Sequence, residues 1–314
     1  MRWQAYEVIL RLRSPLHSGW RKVGNLQMTR PYVTGRMLWG ALTMRLTRNQ
    51  TSGPATDSSK YRQVGEKVHD TLAFTYFYPT LRQDNSYLTY WPWEEGARFR
   101  HRFIGSYAST SLEPQGRSAA EGSLHEVEFI APRTKDTGEQ VYLKGYIFQR
   151  TDCPLDWRRA LSMLQLGGER GYGWGLVSLE SEPVEVKDGK LFGGIAFFDG
   201  SGKRPHIIVP AQKCLLAHTK AVVSLPVKGE IEPLVGREWR SIDPNLYIDF
   251  SCSTQCSGRE WRSIDPNRPY AGQYVVFNDI CYIPGTQVQQ ESTFQILHYG
   301  LWERLRKDKL AHAR

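Results

Sequence analysis

The chain has 314 residues, enough for one large domain or two smaller ones, and its 40% hydrophobic and 12% aromatic content supports a packed core and excludes global disorder. A formal net charge of +9 points to a polyanionic partner, because Lys and Arg displace counterions from phosphates, although it also fits a soluble protein that is merely basic. No apolar run approaches membrane-spanning length, Met1-Arg2-Trp3 leads straight into an alternating segment rather than a signal peptide, and five irregularly spaced cysteines suit a reducing cytoplasm.

Residues 3 to 13 alternate apolar and polar, with a slip near Tyr6, and predict a first strand ending at Ser14-Pro15. A loop with Gly19, Gly24 and Pro31 follows, and Gly35 opens a helix over about 36 to 48. On it Arg36, Gly40, Thr43 and Thr47 form a polar strip, while Leu38, Trp39, Leu42 and Leu46 suit packing on a sheet. Residues 1 to 56 hold nine basic side chains (Arg2, Arg11, Arg13, Arg21, Lys22, Arg30, Arg36, Arg45, Arg48) against one acid, Glu7, an electrostatic footprint for an anionic partner.

Residues 49 to 67 read as a polar surface loop, and Leu72 to Phe103 as β-prone chain with turns at Asp84-Asn85 and Glu94-Glu95-Gly96. Its rings, Tyr76, Phe77, Tyr78, Tyr87, Tyr90, Trp91 and Trp93, merge into Arg98-Phe99-Arg100-His101-Arg102-Phe103. That run suits either a path for single-stranded RNA or a hairpin with one aromatic face buried. Strands at His125–Ala131 and Val141–Gln149 precede a second helix over about 155 to 166, then a loop, Gly167-Gly168-Glu169-Arg170-Gly171-Tyr172-Gly173-Trp174-Gly175, and a strand, Leu176–Leu179. Strand, helix, strands, helix, strand is the βαββαβ order of a ferredoxin-like α+β domain.

From Pro183 the pattern changes to short β-prone runs with hairpin signals at Asp188-Gly189 and Gly200-Ser201-Gly202, and no helix before about Gln295. Residues 183–314 therefore read as a β-rich extension, or a degenerate second domain, appended to a domain over 1–182. The decamer Gly-Arg-Glu-Trp-Arg-Ser-Ile-Asp-Pro-Asn occurs at 236–245 and again at 258–267; two short copies cannot stack into a solenoid, and a local loop duplication is the simpler account.

The glycine loop carries the sharpest chemistry. Its glycines allow close backbone approach to a ligand, successive amides can bind phosphate, Arg170 offers a planar fork, and Tyr172 and Trp174 offer stacking faces. The plainer alternative is a helix-to-strand turn with surplus glycine. Cys252 and Cys256, with Cys214 and His218 as a distant pair, could be zinc ligands, but both cysteines fall between the duplicated decamers, so no metal or other cofactor is expected. Gly200-Ser201-Gly202-Lys203 lacks the spacing of a nucleotide loop and has Arg204 where Ser or Thr would bind magnesium.

The loop resembles the glycine-rich loop of the RAMP superfamily of CRISPR-associated proteins, which lies between the second helix and last strand of an RRM-like domain. Ser14-Pro15-Leu16-His17-Ser18-Gly19 is similar to the turn after that family's first strand, and Pro31-Tyr32-Val33-Thr34-Gly35-Arg36-Met37-Leu38-Trp39-Gly40-Ala41-Leu42 to the start of its first helix. Tyr282-Ile283-Pro284-Gly285-Thr286 is a weaker echo of the latter, and the match covers residues 3 to 180 better than 183 to 314. The resemblance implies an RRM-like fold and a guide-RNA-binding subunit of a type III CRISPR effector, most like the member that caps the guide 5′ end, perhaps of the III-D branch. Its implied partners are CRISPR RNA, target RNA indirectly, other RAMP subunits and the large cyclase-bearing subunit.

In that picture Gly168, Arg170, Gly171, Tyr172 and Trp174 contact the guide, with His17, Trp20, Arg21, Lys22, Arg30 and Arg36 adding contacts and the cations holding phosphates. Family members that cut target RNA use a loop Asp, and no Asp precedes Asp57. Members that process precursor RNA usually use a His; His17 is the candidate, and it would need a second group such as Lys22 or Tyr32. The turn motif often carries a His without catalysis, and processing nucleases carry the glycine loop near the C-terminus, so a non-catalytic RNA binder is the expectation.

Overall fold

The computed structural model describes residues 2–54, 58–113, 118, 122–222, 225–238 and 274–305. Trp3–Leu12 forms β1, and after the Ser14–Gly19 turn Gly19–Val23 (β2) and Leu26–Thr29 (β3) make an exposed hairpin. Gly35–Gln50 is α1, and the Thr34 hydroxyl caps it by accepting from the Met37 amide at 3.4 Å. Thr43 and Thr47 are buried on this helix, so the expected polar strip is wet only in part.

The segment read as a surface loop contains a helix, Ser58–Thr71 (α2), that packs on α1. Its apolar signal is only Val64 and Val68, one turn apart among charged residues, and both are buried. Gly65 lets the helices close: the Trp39 indole N–H donates to its carbonyl at 2.9 Å, and a Cβ there would stand 2.8 Å from the Trp39 ring.

Leu72–Phe74 (β4), Tyr78–Gln83 (β5) and Ser86–Thr89 (β6) follow, with Asp84 left-handed (φ 49°) at the expected turn. Pro92–Glu95 (α3) and Ala97–Phe103 (α4) are helical where strand was expected. Phe99 and Phe103 look like alternation with arginines, yet they lie four apart and bury one helical face. Next come Ile104–Ser109 (β7), His125–Ile130 (β8), Val141–Arg150 (β9), a short helix Trp157–Leu161 (α5) capped by Asp156, and Val177–Leu179 (β10). The second helix stops early because Gln165 and Leu166 pair instead with Leu176 and Gly175, closing the foot of the glycine loop.

The remaining strands are Val184–Glu185 (β11), Lys190–Leu191 (β12), Ala196–Asp199 (β13), His206–Val209 (β14), Thr219–Lys220 (β15), Val227–Lys228 (β16), Ile231–Glu238 (β17), Tyr274–Tyr282 (β18), Gln287–Val288 (β19), Ser292–Ile296 (β20) and Trp302–Arg304 (β21). Gln295 lies in a strand, and only a single 3-10 turn, His298–Gly300, follows it. The Asp188-Gly189 turn leads into β12 rather than joining a hairpin pair, whereas Gly200–Gly202 does lie between the paired strands β13 and β14. Cys252, Cys256 and most of both decamers lie outside the described residues.

The first sheet runs β10-β1-β9-β5-β6 with antiparallel neighbours, so the four strands that follow the βαββαβ order stand as fourth, first, third, second. A smaller sheet, β2-β3-β8-β7, sits beside it, and the C-terminal strands build a third, β12-β13-β14-β20-β21-β15-β18-β17. The apparent slip in β1 is not a bulge, since β1 and β9 pair without interruption from Trp3↔Arg150 to Arg11↔Tyr142. Two cores produce it. Val8, Leu10 and Leu12 face the helices and pack with Leu38, Leu42 and Trp157. Trp3 and Ala5, with Tyr146 and Phe148 of β9, face the other way and pack with Ala196, Ile207, Phe294 and Trp302 of the C-terminal sheet. The central strands are therefore covered on both faces.

Candidate nucleic-acid interface

With both faces of the central strands covered, the first sheet meets outside ligands through its ends and loops. At the end where β1 stops and β10 begins, the glycine loop is pinned to the Ser14–Gly19 turn. The Gly168 amide donates to the His17 carbonyl at 3.0 Å, Gly175 to Pro15 at 2.7 Å, and Leu176 to the Ser14 hydroxyl at 2.9 Å. Two glycines are obligatory at this base: Gly167 and Gly175 both have φ 78°, and a Cβ would strike the His17 carbonyl in one case and the Leu166 carbonyl in the other. The tip is different. Nothing lies within 4 Å of the space a side chain at Gly171 or Gly173 would fill.

The loop is less generous with amides than its sequence promises. Those of Gly168, Tyr172, Gly173, Trp174 and Gly175 all donate inside the protein, and Gln165 ties the Arg170 and Trp174 carbonyls at 3.0 and 2.9 Å. What the tip presents is side chains. Tyr172 is 82% exposed, and Arg170 is exposed with its guanidinium 3.5 Å from the Met44 sulfur of α1. Trp174 turns inward, edge-on to Phe129 at 5.1 Å, and wedges the loop against β8.

His17 is 7% exposed beneath the loop. Its Nδ1 lies 2.7 Å from the Glu128 carbonyl oxygen, which can only accept, so Nδ1 carries the hydrogen. Glu128, which the sequence analysis did not single out, organises this corner. One carboxylate oxygen accepts from the Thr29 amide at 3.1 Å and the other from Arg100 at 2.5 Å, and the residue is 8% exposed. No local signal separates it from Glu126, because its partners, the Thr29 amide and Arg100 of α4, come from distant parts of the chain.

The hairpin β2–β3 divides the remaining candidates. Arg21 lies 4.2 Å over the Trp20 ring, and Lys22 is exposed. Arg30 is 7% exposed and donates to Glu232 at 2.5 Å and to the Tyr32 hydroxyl at 3.4 Å. Its guanidinium is engaged inside the protein, which argues against the phosphate contact the resemblance implied. Trp20 donates to the other Glu232 oxygen at 2.8 Å. Burial alone would raise the Glu232 carboxyl, yet the bonds from His218, Arg30 and Trp20 and the Arg30 charge hold it down to about 2. Burial lowers His218 despite its bond to Glu232. The neutral ring thus donates from Nε2 to Glu232 at 2.6 Å and accepts from the Tyr76 hydroxyl at 2.8 Å. Arg36 stands apart at the first turn of α1, 4.5 Å over Tyr299.

The aromatic run at 76–103 is largely buried, but it is not a hairpin with one buried face: it spans two strands and two helices and buries rings in both cores. Tyr76, Tyr78 and Trp91 are buried in the second core, where the Tyr78 hydroxyl donates to the Leu216 carbonyl at 2.7 Å, and Phe77 is buried in the first, so these rings pack the protein interior rather than line a strand path. Among the described residues no cluster of three His, Cys, Asp or Glu side chains could hold a metal ion, and no helix is long and apolar enough to cross a membrane.

No family model and no curated protein matches the sequence. Solved structures similar to the chain include three from type III-B Cmr-beta complexes. One, bound to cognate target RNA, shares 12% identity over 59% of this chain and 98% of that chain, with a TM-score of 0.38. Another, with cognate target RNA and AMPPnP, shares 13% over 90% of this chain and 86% of that chain at 0.47, and an apo-state chain shares 9% over 59% and 98% at 0.36.

Proposed function

We propose that this chain is a non-catalytic guide-RNA-binding subunit of a type III CRISPR effector, with an RRM-like domain over residues 1–182 and a β-rich layer over 183–314. The observation that carries the reading is the loop tip, a glycine-footed projection that presents an exposed Arg170 and an exposed Tyr172, together with a separate exposed hairpin strand bearing Trp20, Arg21 and Lys22. Cations next to exposed rings fit an unpaired polynucleotide. The strand order of the first sheet supports an RRM-like domain, although its face is occupied by the protein's own C-terminal sheet, so RNA would run over the loops instead. Burial of His17 beneath the loop supports a positioning role rather than a catalytic one. The guide 5′ end is the expected ligand, and other RAMP subunits and the large cyclase-bearing subunit are the expected neighbours.

Purified chain titrated with labelled repeat RNA tests the reading. Arg170→Ala combined with Tyr172→Ala should weaken binding by about tenfold or more, and no site-specific cleavage should occur in EDTA. Undiminished binding by the double variant would sink the loop assignment, and cleavage abolished by His17→Ala would make the chain a processing nuclease.

A further inference from the structure

At the far end of α1 from the loop, three rings form a column. Trp39 and His69 are stacked at 4.7 Å and 9°, and His69 and His298 at 4.1 Å and 9°. Tyr299 stands edge-on to Trp39 and His69 at 85° and 78°, with the Arg36 guanidinium over its ring at 4.5 Å. The inner end is fixed by the Trp39 bond to Gly65. The outer end, His298, is exposed, and among the described residues no other ring stacks on the face turned away from His69.

Considerable structure is committed to this arrangement. Arg204 donates to the Ile296 carbonyl at 2.9 Å, to the Leu297 carbonyl at 3.5 Å and to the His69 carbonyl, clamping the end of α2 to the segment that carries His298. Tyr299 is left-handed (φ 63°) without being glycine, a conformation that persists only where surroundings enforce it. Gly300 and Gly35 meet so closely that a Cβ on either would crowd the other's backbone below about 3.1 Å. Burial, helped by the neighbouring His298, Arg204 and Arg36, holds His69 down to about 3, and burial and Arg204 lower His298. The column is thus neutral, a flat π surface with a guanidinium at its side.

We propose that the open face of His298 receives an unpaired nucleobase, which extends the Trp39–His69–His298 column by one ring while Arg36 meets the adjoining phosphate. Every base offers a π face to such a platform, and an arginine fork suits phosphate oxygens. Arg36 and Met44, over which Arg170 reaches, lie eight residues apart on α1, about 12 Å along its axis, so one strand could engage both places. This site rests on the RNA-binding reading above but is separate from the loop.

Titration of the full chain with a short oligouridine tests it. His298→Ala should weaken binding by about tenfold, and His298→Phe, which keeps a stacking ring, should remain within about threefold of the unaltered chain. On an abasic ribose-phosphate strand of the same length the unaltered chain and His298→Ala should bind alike. If His298→Ala binds oligouridine normally while Arg170→Ala does not, or if it weakens the abasic strand equally, the base site falls and the loop reading stands. Failure of the unaltered chain to bind any RNA would remove both.

Discussion

Single residues in the loop separate into those that build it and those that act. Gly175 is left-handed and its missing Cβ is replaced by the Leu166 carbonyl, so Gly175→Ala should lower the thermal midpoint by the equivalent of more than about 1 kcal/mol. Gly171 has open space and no such backbone demand, and Gly171→Ala should stay within about 0.5 kcal/mol by the same melting experiment. Acid stability is a second residue-scale property. His69 and His218 both titrate below 6.5 in the folded chain, so between that pH and lower values the unfolded chain binds more protons. Stability should be full above about pH 6.5 and fall as the pH drops through the window toward 3, where His69 itself charges. His69→Phe keeps the stacked ring but cannot titrate, and its melting temperature should depend less steeply on pH below about 6.5, with the remainder owed to His218, His298 and, at the acid end, Glu232. The loop glycines and the exposed Arg170 and Tyr172 were legible in the sequence. The burial of Arg30, His17 and Glu128 was not, because each is buried by a partner from a distant element: Glu232, the glycine loop and β3.

Among the elements, those with a repeated apolar period declared themselves. β1, α1, β8 and β9 lie within a few residues of their expected bounds because their apolar positions recur over several turns or pleats. α2 hid behind its charges, and α4 hid because phenylalanines spaced by arginines satisfy a period of two as readily as a helical one. The start of α1 depends on one hydroxyl. Thr34→Ala should cost about 1 kcal/mol by removing the cap, seen as a lower melting temperature, while Thr34→Ser should cost much less.

For the molecule as a whole, the decisive arrangement is a second core shared between the first sheet and the C-terminal one. A chain ending at Glu182 would leave Trp3, Ala5, Tyr146 and Phe148 uncovered, so it should bind a hydrophobic dye and aggregate more readily than the full chain. A soluble, sharply melting fragment would show that the first sheet needs no cover. The sequence signalled the β-rich character of the second half, but not what it covers, since short strands carry no mark of the face they will meet.

That shared core also orders events at the ribosome. The Trp3 amide and indole are bonded to the Gly200 and Lys203 carbonyls, and the same core is closed by Trp302. β1 therefore cannot complete its packing until the strands from Ala196 to Trp302 that cover Trp3 and Ala5 have been synthesised. Contacts between such distant positions carry a heavy loop-closure cost, so maturation of this chain should be slow and chaperone-sensitive, with the N-terminal strand among the last segments to become protected from solvent exchange.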